Sequence, residues 1–189
     1  MEEELLIKRC INGEPSAQRK IYEKYAPSML AVCMRYVKNK EVATDLMHDG
    51  FIRLFTKIDT YSGTGVFAGW VRRIFVNTAL EYLRHNDALR FSVDIDSAVY
   101  LSSEDWSVID KISADELMGY ITELPDKFRT VFNMYAVEGY SHAEIAKELN
   151  IQEVTSRTQY ARAKQALQKI IKENSKYIVW NEATNTDAK

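Results

Sequence analysis

A capped short helix, a tight turn and a long basic helix are indicated by residues 138–172, and no other feature constrains the fold as strongly. Ser141 can accept hydrogen bonds from the free N–H groups of a helix start. Glu144, three residues later, can reach back to the N–H of Ser141 and complete a capping box. Asn150 suits the left-handed position that ends a helix. The pattern therefore predicts a helix that begins after Ser141 and ends at Asn150.

The second helix of this segment is predicted to be basic. From Thr155 to Lys172 it contains five Lys and Arg residues and no acidic residue. A short helix, a tight turn and a basic helix form the unit that places its second helix in the major groove of DNA. The alternative is a pair of surface helices with a solvated basic face, and the residues alone leave that alternative open.

The composition indicates a globular, helical chain. Of 189 residues, 46% are hydrophobic and 28% are charged, which is typical of neither a disordered nor a membrane-spanning chain. No apolar run approaches the roughly 20 residues that a bilayer span needs. The acidic start MEEELLIKRC lacks the basic and apolar regions of a signal peptide. Few glycines, few prolines and few runs of β-branched residues predict an all-α fold.

The cysteines and histidines indicate neither a disulfide framework nor a metal site. Cys10 and Cys33 form no CxxC pair, and two cysteines in a chain of this length suggest reduced thiols in a cytosol. The three histidines are scattered without the spacing of metal ligands. We therefore expect no metal ion. A cofactor and a small-molecule substrate are not expected either.

The net charge of −2 conceals an uneven distribution. Residues 1–90 carry 14 Lys and Arg against 11 Asp and Glu (net +3), residues 91–115 carry one against six (net −5), and residues 116–175 carry eight of each. Such a modest total charge argues against a protein that coats DNA non-specifically, because that mode depends on neutralising phosphates. It fits local DNA contact by a protein that gains affinity from a larger partner.

The acidic stretch 91–115 predicts a linker between two helical domains. It has no sustained helical period and is rich in Ser and Asp, as linkers are. The predicted organisation is a domain at 1–90, the linker, a second domain at 116–175 and a tail at 176–189 to which no role is assigned. Two interpretations of the linker stay open: a plain connector, or an acidic strand that lies in a basic channel meant for nucleic acid.

The first domain is predicted to contain about four helices, from the spacing of its apolar residues. The first ends at the turn dipeptide Asn12-Gly13, and the second begins near Pro15 with a bend or break at Pro27. The third runs from Glu41 to Ile58. The fourth runs from about Phe67 to His85, after the Gly-rich loop YSGTGVF, and no βαβ pattern surrounds that loop to make it a phosphate-binding loop.

The fourth predicted helix interleaves aromatic residues with Arg and Asn. Phe67 and Trp70 lie on its broad apolar face, whereas Arg73 and Asn77 lie off that face or at its edge. Flat rings stack on unpaired bases, and Arg and Asn reach phosphates and base edges, so this mixture suits single-stranded nucleic acid. Aromatic residues at helical spacing are more often core, and we expect Trp70 to be partly buried whatever its second role.

Five segments, in order, resemble the bacterial sigma factors of the extracytoplasmic-function (ECF) group over about residues 5–175. The segments are IYEKYAPSML, VATDLMHDGFIRLF, YSGTGVFAGWVRRIFVNTALEYLR, LPDKFRTVFNMYAVEGYSHAEIAKELNI and VTSRTQYARAKQAL. The resemblance implies a first domain that binds RNA polymerase core and opens the promoter's −10 element, and a second that reads the duplex −35 element. It also implies an anti-sigma partner, a cytoplasmic location and no insertion into the membrane.

The resemblance assigns candidate site residues to three surfaces. One surface would bind the polymerase core: Asp45, Leu46, Met47, His48, Asp49 and Phe51. Another would bind the melted −10 element: Tyr61, Ser62, Gly63, Phe67, Trp70, Arg73 and Asn77. The third would bind the −35 element: Thr155, Arg157, Thr158, Gln159, Arg162 and Lys164.

The chain departs from the family pattern on each of these surfaces. His48-Asp49 stands where Gln-Glu is usual, and Ser62 stands where an Arg usually follows the loop aromatic residue. In the second helix the family's Gly-Thr-Val-Lys-Ser-Arg becomes Val154-Thr155-Ser156-Arg157-Thr158-Gln159. We therefore expect a −35 sequence preference that belongs to this chain.

Two other classes of function stay open beside the sigma factor. A stand-alone helix-turn-helix regulator would need a dimerisation surface and a two-fold related operator. A helical adaptor would bind protein only, and the one-signed second helix argues against it. The chain is not expected to be an enzyme, because it offers no Ser/His/Asp, Cys/His, paired-carboxylate or phosphate-loop constellation that a helical chain would assemble.

Overall fold

The structure is a computed structural model that describes residues 2–86 and 112–186, and their side chains from 3 to 86 and from 112 to 174. It forms two units, Met1–Ala88 and Leu89–Lys189. All regular structure in the described ranges is helical, without a strand, which confirms the predicted all-α fold. The predicted linker lies outside the described residues up to residue 111.

The first unit contains the four predicted α-helices and one short turn of 3₁₀ helix. The helices are α1 (Glu2–Ile11), α2 (Pro15–Tyr36), α3 (Lys40–Lys57) and α4 (Phe67–His85), with the 3₁₀ turn (Ile58–Thr60) after α3. The Asn39 side chain caps α3 by accepting from the N–H of Glu41 at 2.8 Å and from that of Val42 at 3.1 Å. The core lies where α2, α3 and α4 bury their apolar faces against one another.

Helix α2 continues through Pro27, so the predicted break does not occur there. A proline inside a helix removes one backbone hydrogen bond and costs about 3 kcal/mol. Tyr25 and Met29, two residues before and after it, are both buried. Burying an apolar side chain such as Met29 contributes about 1.5–3 kcal/mol, so a few such contacts along α2 outweigh the cost of the proline.

Helices α3 and α4 approach closely at Gly50. A Cβ atom added to Gly50 would lie 2.5 Å from Cε1 of Phe75 on α4, so only glycine admits the ring at this distance. An ion pair between Arg53 and Glu81 links the same two helices further along. These two contacts hold α4 against α3, and α4 also packs against α2.

The second unit contains the predicted helix-turn-helix. Its elements are α5 (Ala114–Glu123), α6 (Asp126–Phe132), a π-helical turn (Asn133–Val137), α7 (His142–Leu149) and α8 (Glu153–Thr186). The N–H of Glu144 donates to the Ser141 hydroxyl at 3.2 Å, and the N–H of Ser141 donates to the Glu144 carboxylate at 2.8 Å. Asn150 has φ 52° and ψ 49°. The capping box and the left-handed helix end are therefore confirmed.

Two helix boundaries differ from the sequence-based expectation. Helix α8 begins at Glu153, before the predicted Thr155, and extends past the predicted end at Lys172 to Thr186. Helix α5 begins at Ala114, inside the stretch predicted as linker, because Ser113 and Glu116 form a second capping box. The same type of capping box located the start of α7, so the start of α5 could also have been predicted from the sequence.

A buried arginine fastens α5 to α6. Arg129 donates to the carbonyl oxygen of Leu124 at 2.9 Å and to that of Thr122 at 3.3 Å, and it pairs with Asp126 at 2.5 Å. It thus supplies donors to carbonyl groups that the end of α5 leaves without helical partners. Helix α6 in turn packs on α8 through a core cluster: Ile121, Leu124, Phe132, Ala163, Leu167 and Ile171. This framework supports α8, the helix that would enter DNA.

The thiols of Cys10 and Cys33 are free and buried. Burial raises the pKa of Cys33 to about 12 and also raises the pKa of Cys10. Across the described residues, no three His, Cys, Asp or Glu side chains come together as a group that could hold a metal ion. Nor does any helix in the described ranges combine the length and the apolar character that crossing a membrane requires.

Candidate nucleic-acid and partner interfaces

Trp70, Arg73 and Asn77 form a stripe along one side of α4, at spacings of three and four residues. Trp70 is half-buried, as predicted, Arg73 is exposed and Asn77 is half-buried. Two turns of helix separate Trp70 from Asn77, which is about 10 Å. A base stacked near Trp70 and a neighbouring nucleotide at Asn77 would fit that separation.

The amide oxygen of Asn77 has an unmet hydrogen-bonding capacity. Its Oδ1 atom is buried and has no hydrogen-bond partner among the described residues. Buried polar atoms almost always have a partner, and each exception calls for an explanation. A base edge could reach this atom only after the side chain turns outward, and there the Asn77 amide could both donate and accept.

The loop before α4 folds back onto an aromatic platform. The Tyr61 ring lies 5.4 Å from the Trp70 ring and 5.1 Å from the Phe67 ring, measured between centroids. The Tyr61 hydroxyl donates to the carbonyl oxygen of Gly65 at 2.8 Å, and Gly63 and Gly65 both have positive φ, at 75° and 80°. Left-handed backbone of this kind favours glycine, so the two glycines allow the loop to close over the Tyr61 ring.

Phe67 and Ser62, both in the candidate −10 set, differ in exposure. Phe67 is only 3% exposed, so its ring supports the platform of Tyr61 and Trp70 from below and offers no face to a base. Ser62 is exposed, and its hydroxyl shares a hydrogen bond with that of Thr64 at 2.6 Å. The accessible part of the candidate −10 surface is therefore Tyr61, Trp70, Arg73 and Asn77 with the exposed glycine loop.

Helix α3 exposes an acidic stripe that ends in an apolar residue. Asp45, His48 and Asp49 are exposed at helical spacing, and Ile52 extends the stripe with 64% of its side chain exposed. Ile52 was absent from the sequence-based set, although its spacing of four residues from His48 and three from Asp49 was a visible signal. We refer to these four residues as the α3 stripe.

Three residues of the predicted polymerase-binding set lie in the interior instead. Leu46, Met47 and Phe51 are all buried, at 5% exposure or less. A run of consecutive residues on a helix faces all directions, so part of any motif written as a run must face the core. These three side chains hold α3 in place and are not available for contact in this structure.

Helix α8 presents part of the predicted −35 set to solvent. Arg157 is exposed, whereas Thr155, Thr158, Arg162 and Lys164 are half-buried. Arg157 pairs with Glu153 at 2.5 Å, and the Lys164 ammonium lies 5.0 Å above the Tyr160 ring.

Gln159 is the exception, because only 8% of its surface is exposed and it faces the interior of the unit. Its Oε1 atom has no hydrogen-bond partner among the described residues. The expectation that Gln159 faces the major groove therefore does not fit the structure. Gln159 lies on the packed side of α8. Ala163, which is four residues later on the same side, is also buried.

A buried histidine joins the two helices of the helix-turn-helix. The Nδ1 atom of His142, in the first turn of α7, lies 2.9 Å from the hydroxyl oxygen of Ser156 in the first turn of α8. The imidazole also stacks on the Tyr135 ring, at 4.3 Å between centroids and 14° between planes. Burial and the nearby Arg157 lower the pKa of His142, against an opposite effect of Glu153. The neutral imidazole is thus the form that the fold favours.

The free energy of unfolding of the second unit is expected to fall as the pH drops below about 6.5, the ordinary value for histidine. Because the folded-state pKa is the lower one, the unfolded chain takes up the proton first, and the stabilisation present at neutral pH is lost on acidification. Urea denaturation of the full chain at about pH 7.5 and about pH 5.5 measures the drop. His142→Gln cannot titrate and should show a smaller drop; an equal drop would contradict the assignment.

Models of two protein families match the chain, one in each unit. The sigma-70 region 2 model matches residues 21–88, and the sigma-70 region 4 model matches residues 114–167. Together the two matches cover more than half of the chain, and their order is that of the two predicted domains.

Two sequence relatives agree with these matches. The ECF RNA polymerase sigma-E factor of Escherichia coli (strain K12) is 25% identical over 178 residues, which cover 88% of this chain and 93% of that protein. The ECF RNA polymerase sigma factor SigW of Bacillus subtilis (strain 168) is 26% identical over 182 residues, covering 88% of this chain and 95% of the relative.

The fold is similar to those of two proteins whose structures were solved in complexes. One is the sigma factor RpoE in complex with the anti-sigma factor NepR from Bartonella quintana, with a TM-score of 0.51 and 18% identity over 82% of this chain and 96% of that one. The other is CnrH in complex with the cytosolic domain of CnrY, with a TM-score of 0.50 and 15% identity over 89% and 96%. The chain therefore belongs to the sigma-70 family, as an ECF-type RNA polymerase sigma factor that directs transcription initiation.

Proposed function

We propose that the two parts of the chain divide the promoter between them. Residues 1–90 bind the polymerase core and read the melted −10 strand, and residues 116–175 read the duplex −35 element. Residues 91–115 connect them, and no role is assigned to residues 176–189. The observation that supports this division best is the buried, unpartnered Oδ1 of Asn77 on the same side of α4 as the Tyr61 and Trp70 rings.

The α4 surface has the chemistry that a single strand requires. Duplex DNA hides its Watson–Crick edges, so a protein that reads them needs rings for stacking and polar groups for the exposed edge. Tyr61 and Trp70 supply the rings, Arg73 supplies a cation for phosphate, and Asn77 supplies an amide with an unmet acceptor. These four groups lie on one continuous stretch of loop and helix.

The α3 stripe is the surface that we assign to the polymerase core. It combines two exposed carboxylates, at Asp45 and Asp49, with the exposed apolar side chain of Ile52. An apolar anchor surrounded by charged groups is typical of a protein–protein interface, in which the anchor supplies affinity and the charges supply orientation. The side chain of Asp49 is one methylene shorter than the Glu of the family's Gln-Glu, which would bring this contact closer to α3.

Three further assignments follow from the proposal. The chemistry of RNA synthesis belongs to the polymerase core, and we assign no catalytic residue to this chain. We place the protein in the cytoplasm, where promoter DNA and polymerase are found. We also propose an anti-sigma protein as a regulatory partner, because the similar RpoE fold was solved in complex with the anti-sigma factor NepR.

The experiment that tests the function compares the chain alone with the chain bound to polymerase core. With core, run-off transcription on genomic fragments should start at defined promoters, and the two proteins should co-elute. Alone, the chain should bind duplex promoter DNA weakly, because a handful of Lys and Arg contacts fade steeply with salt. Nanomolar, sequence-specific binding by the chain alone at physiological salt would instead support a stand-alone regulator.

Replacing Arg162 by Ala is expected to weaken transcription from promoters that carry the matching −35 base pair. A bidentate contact to a base is worth about 1–3 kcal/mol, which corresponds to roughly 5- to 150-fold. Lys169→Ala is the matched control, because Lys169 is an exposed cation further along α8 whose nearest acid, Glu173, is 3.9 Å away. Equal losses on wild-type and −35-substituted promoters would indicate a phosphate contact, and no loss on either would remove Arg162 from the interface.

A further inference from the structure

The first turn of α8 carries an exposed apolar side chain. Val154 is 62% exposed in the second position of this helix. In a helix-turn-helix the N-terminal residues of the second helix are the ones that contact base edges. The chain has valine at this place in a motif where the family pattern has glycine, so the side chain is a feature of this chain.

Thr158, one turn further along α8, also offers a methyl group. Its hydroxyl donates to the backbone carbonyl of Val154 at 2.9 Å, so the hydroxyl is used within the helix. The methyl group is then the part of the half-buried side chain that is left for contact. Residues four apart lie next to each other on a helix surface, about 5–6 Å between Cβ atoms, so Val154 and Thr158 form one patch. We refer to them as the methyl pair.

The two charged residues that adjoin the methyl pair, Glu153 and Arg157, are paired with each other. Arg157, between the two members of the methyl pair, forms its ion pair with Glu153. The start of α8 therefore offers an apolar surface beside a neutralised charge pair. Such a surface contributes little to phosphate binding, which depends on unneutralised cations.

The major groove contains one apolar group that such a surface can recognise. Among the four bases, only thymine presents a methyl group there, at C5, and Ala and Thr methyl groups are among its usual contacts. We propose that the methyl pair reads the C5-methyl group of a thymine in the −35 element. The inference rests on the proposed −35 function of α8 and adds a base and the chemical group that is read.

The test removes only the C5-methyl group of a single thymine, by replacing that thymine with deoxyuridine. Duplex promoters are selected by the holoenzyme from a library randomised in the −35 element, and each selected thymine is then replaced singly by deoxyuridine. At one thymine the replacement should weaken holoenzyme binding about fourfold, the effect expected for one buried methyl group. The other thymines serve as internal controls for general effects of deoxyuridine.

Variants of the methyl pair connect the effect to the protein. Thr158→Ser removes the methyl group and keeps the hydroxyl that bonds to Val154, and Val154→Thr exchanges one methyl group for a hydroxyl. Both should bind the thymine and deoxyuridine promoters more equally than the wild type does. Thr158→Val keeps an outward methyl group and should preserve the difference. Gln165→Ala, at an exposed position two turns beyond Thr158, is a control that should also preserve it.

Failure of this inference can be told apart from failure of the proposed function. Selection without any −35 preference would remove the −35 function of α8 itself. A clear −35 preference without thymine, or equal binding of thymine and deoxyuridine at every position, would overturn only the inference that the methyl pair contacts a thymine methyl group. A difference that survives unchanged in both Thr158→Ser and Val154→Thr would also overturn it.

Discussion

Holoenzyme that carries Asn77→Ala is expected to form open promoter complexes at least tenfold less efficiently than the wild type, while binding the polymerase core equally well. The Oδ1 atom of Asn77 is buried without a partner among the described residues. A base edge that donates to this atom would regain the free energy that its burial costs, and a bidentate contact is worth about 1–3 kcal/mol. Permanganate footprinting of −10 thymines measures the opening.

Substitutions in the loop that contains Gly63 and Gly65 are also expected to impair promoter opening. An alanine at Gly63 or Gly65 would meet no atom within 4 Å, so the double substitution causes no steric clash with neighbours. Both residues have positive φ, where an L-residue other than glycine pays roughly 1–2 kcal/mol. Gly63→Ala/Gly65→Ala should therefore reshape the loop over Tyr61 and impair opening, and it should leave the buried core of the unit intact.

A pre-melted template distinguishes a strand-reading defect from a general one. When the −10 region is already a mismatch bubble, the unpairing cost is absent and both variants should recover most of the lost activity. Asn86→Ala, an exposed asparagine at the C-terminal end of α4, is the matched control and should open promoters normally. Normal opening by Asn77→Ala, or loss of core binding in parallel with opening, would mean that this part of α4 serves only packing.

Local signals in the sequence located the helix ends well. The Ser141–Glu144 capping box and the left-handed Asn150 depend on residues within one turn, and the structure has them as predicted. The same signal at Ser113 and Glu116 was present but lay in a stretch whose acidic composition suggested a linker. Pro27 shows the opposite case, because a local preference for a break yields to packing from residues elsewhere in the core.

The direction in which each side chain faces was harder to predict. A motif is a run of neighbouring residues, and a helix turns about a third of such a run toward the core. Leu46, Met47 and Phe51 share their run with the exposed α3 stripe, and Gln159 shares one with Arg157 and Thr158. Ile52 and Val154 were missed for a different reason: neither belongs to the set that the resemblance assigns, although the helical spacing of Ile52 from His48 and Asp49 was visible in the sequence.

Charge reversal of the α3 stripe is expected to abolish core binding. In the Asp45→Lys/Asp49→Lys variant, two exposed carboxylates become cations on a surface that we assign to the polymerase. Placing like charges opposite each other costs several kcal/mol at an interface, so affinity for core should fall at least about 100-fold. Both positions are exposed, so the fold should persist, and co-elution with core polymerase measures the loss.

A control variant with the same change in net charge distinguishes an effect of the α3 stripe from an effect of the total charge of the protein. Glu23 and Asp59 are exposed acids outside the α3 stripe, and Glu23→Lys/Asp59→Lys also replaces two negative charges by two positive charges. Glu23 forms only an exposed surface pair with Arg19, of the kind that contributes little to stability, so the control should fold and bind core normally. Ile52→Ser should weaken binding without any change in charge, because an exposed apolar anchor loses its contact area. Equal losses of core binding in the control and in the stripe variant would show that core binding depends on total charge. Normal binding by both Ile52→Ser and the stripe variant would place the polymerase contact on another surface.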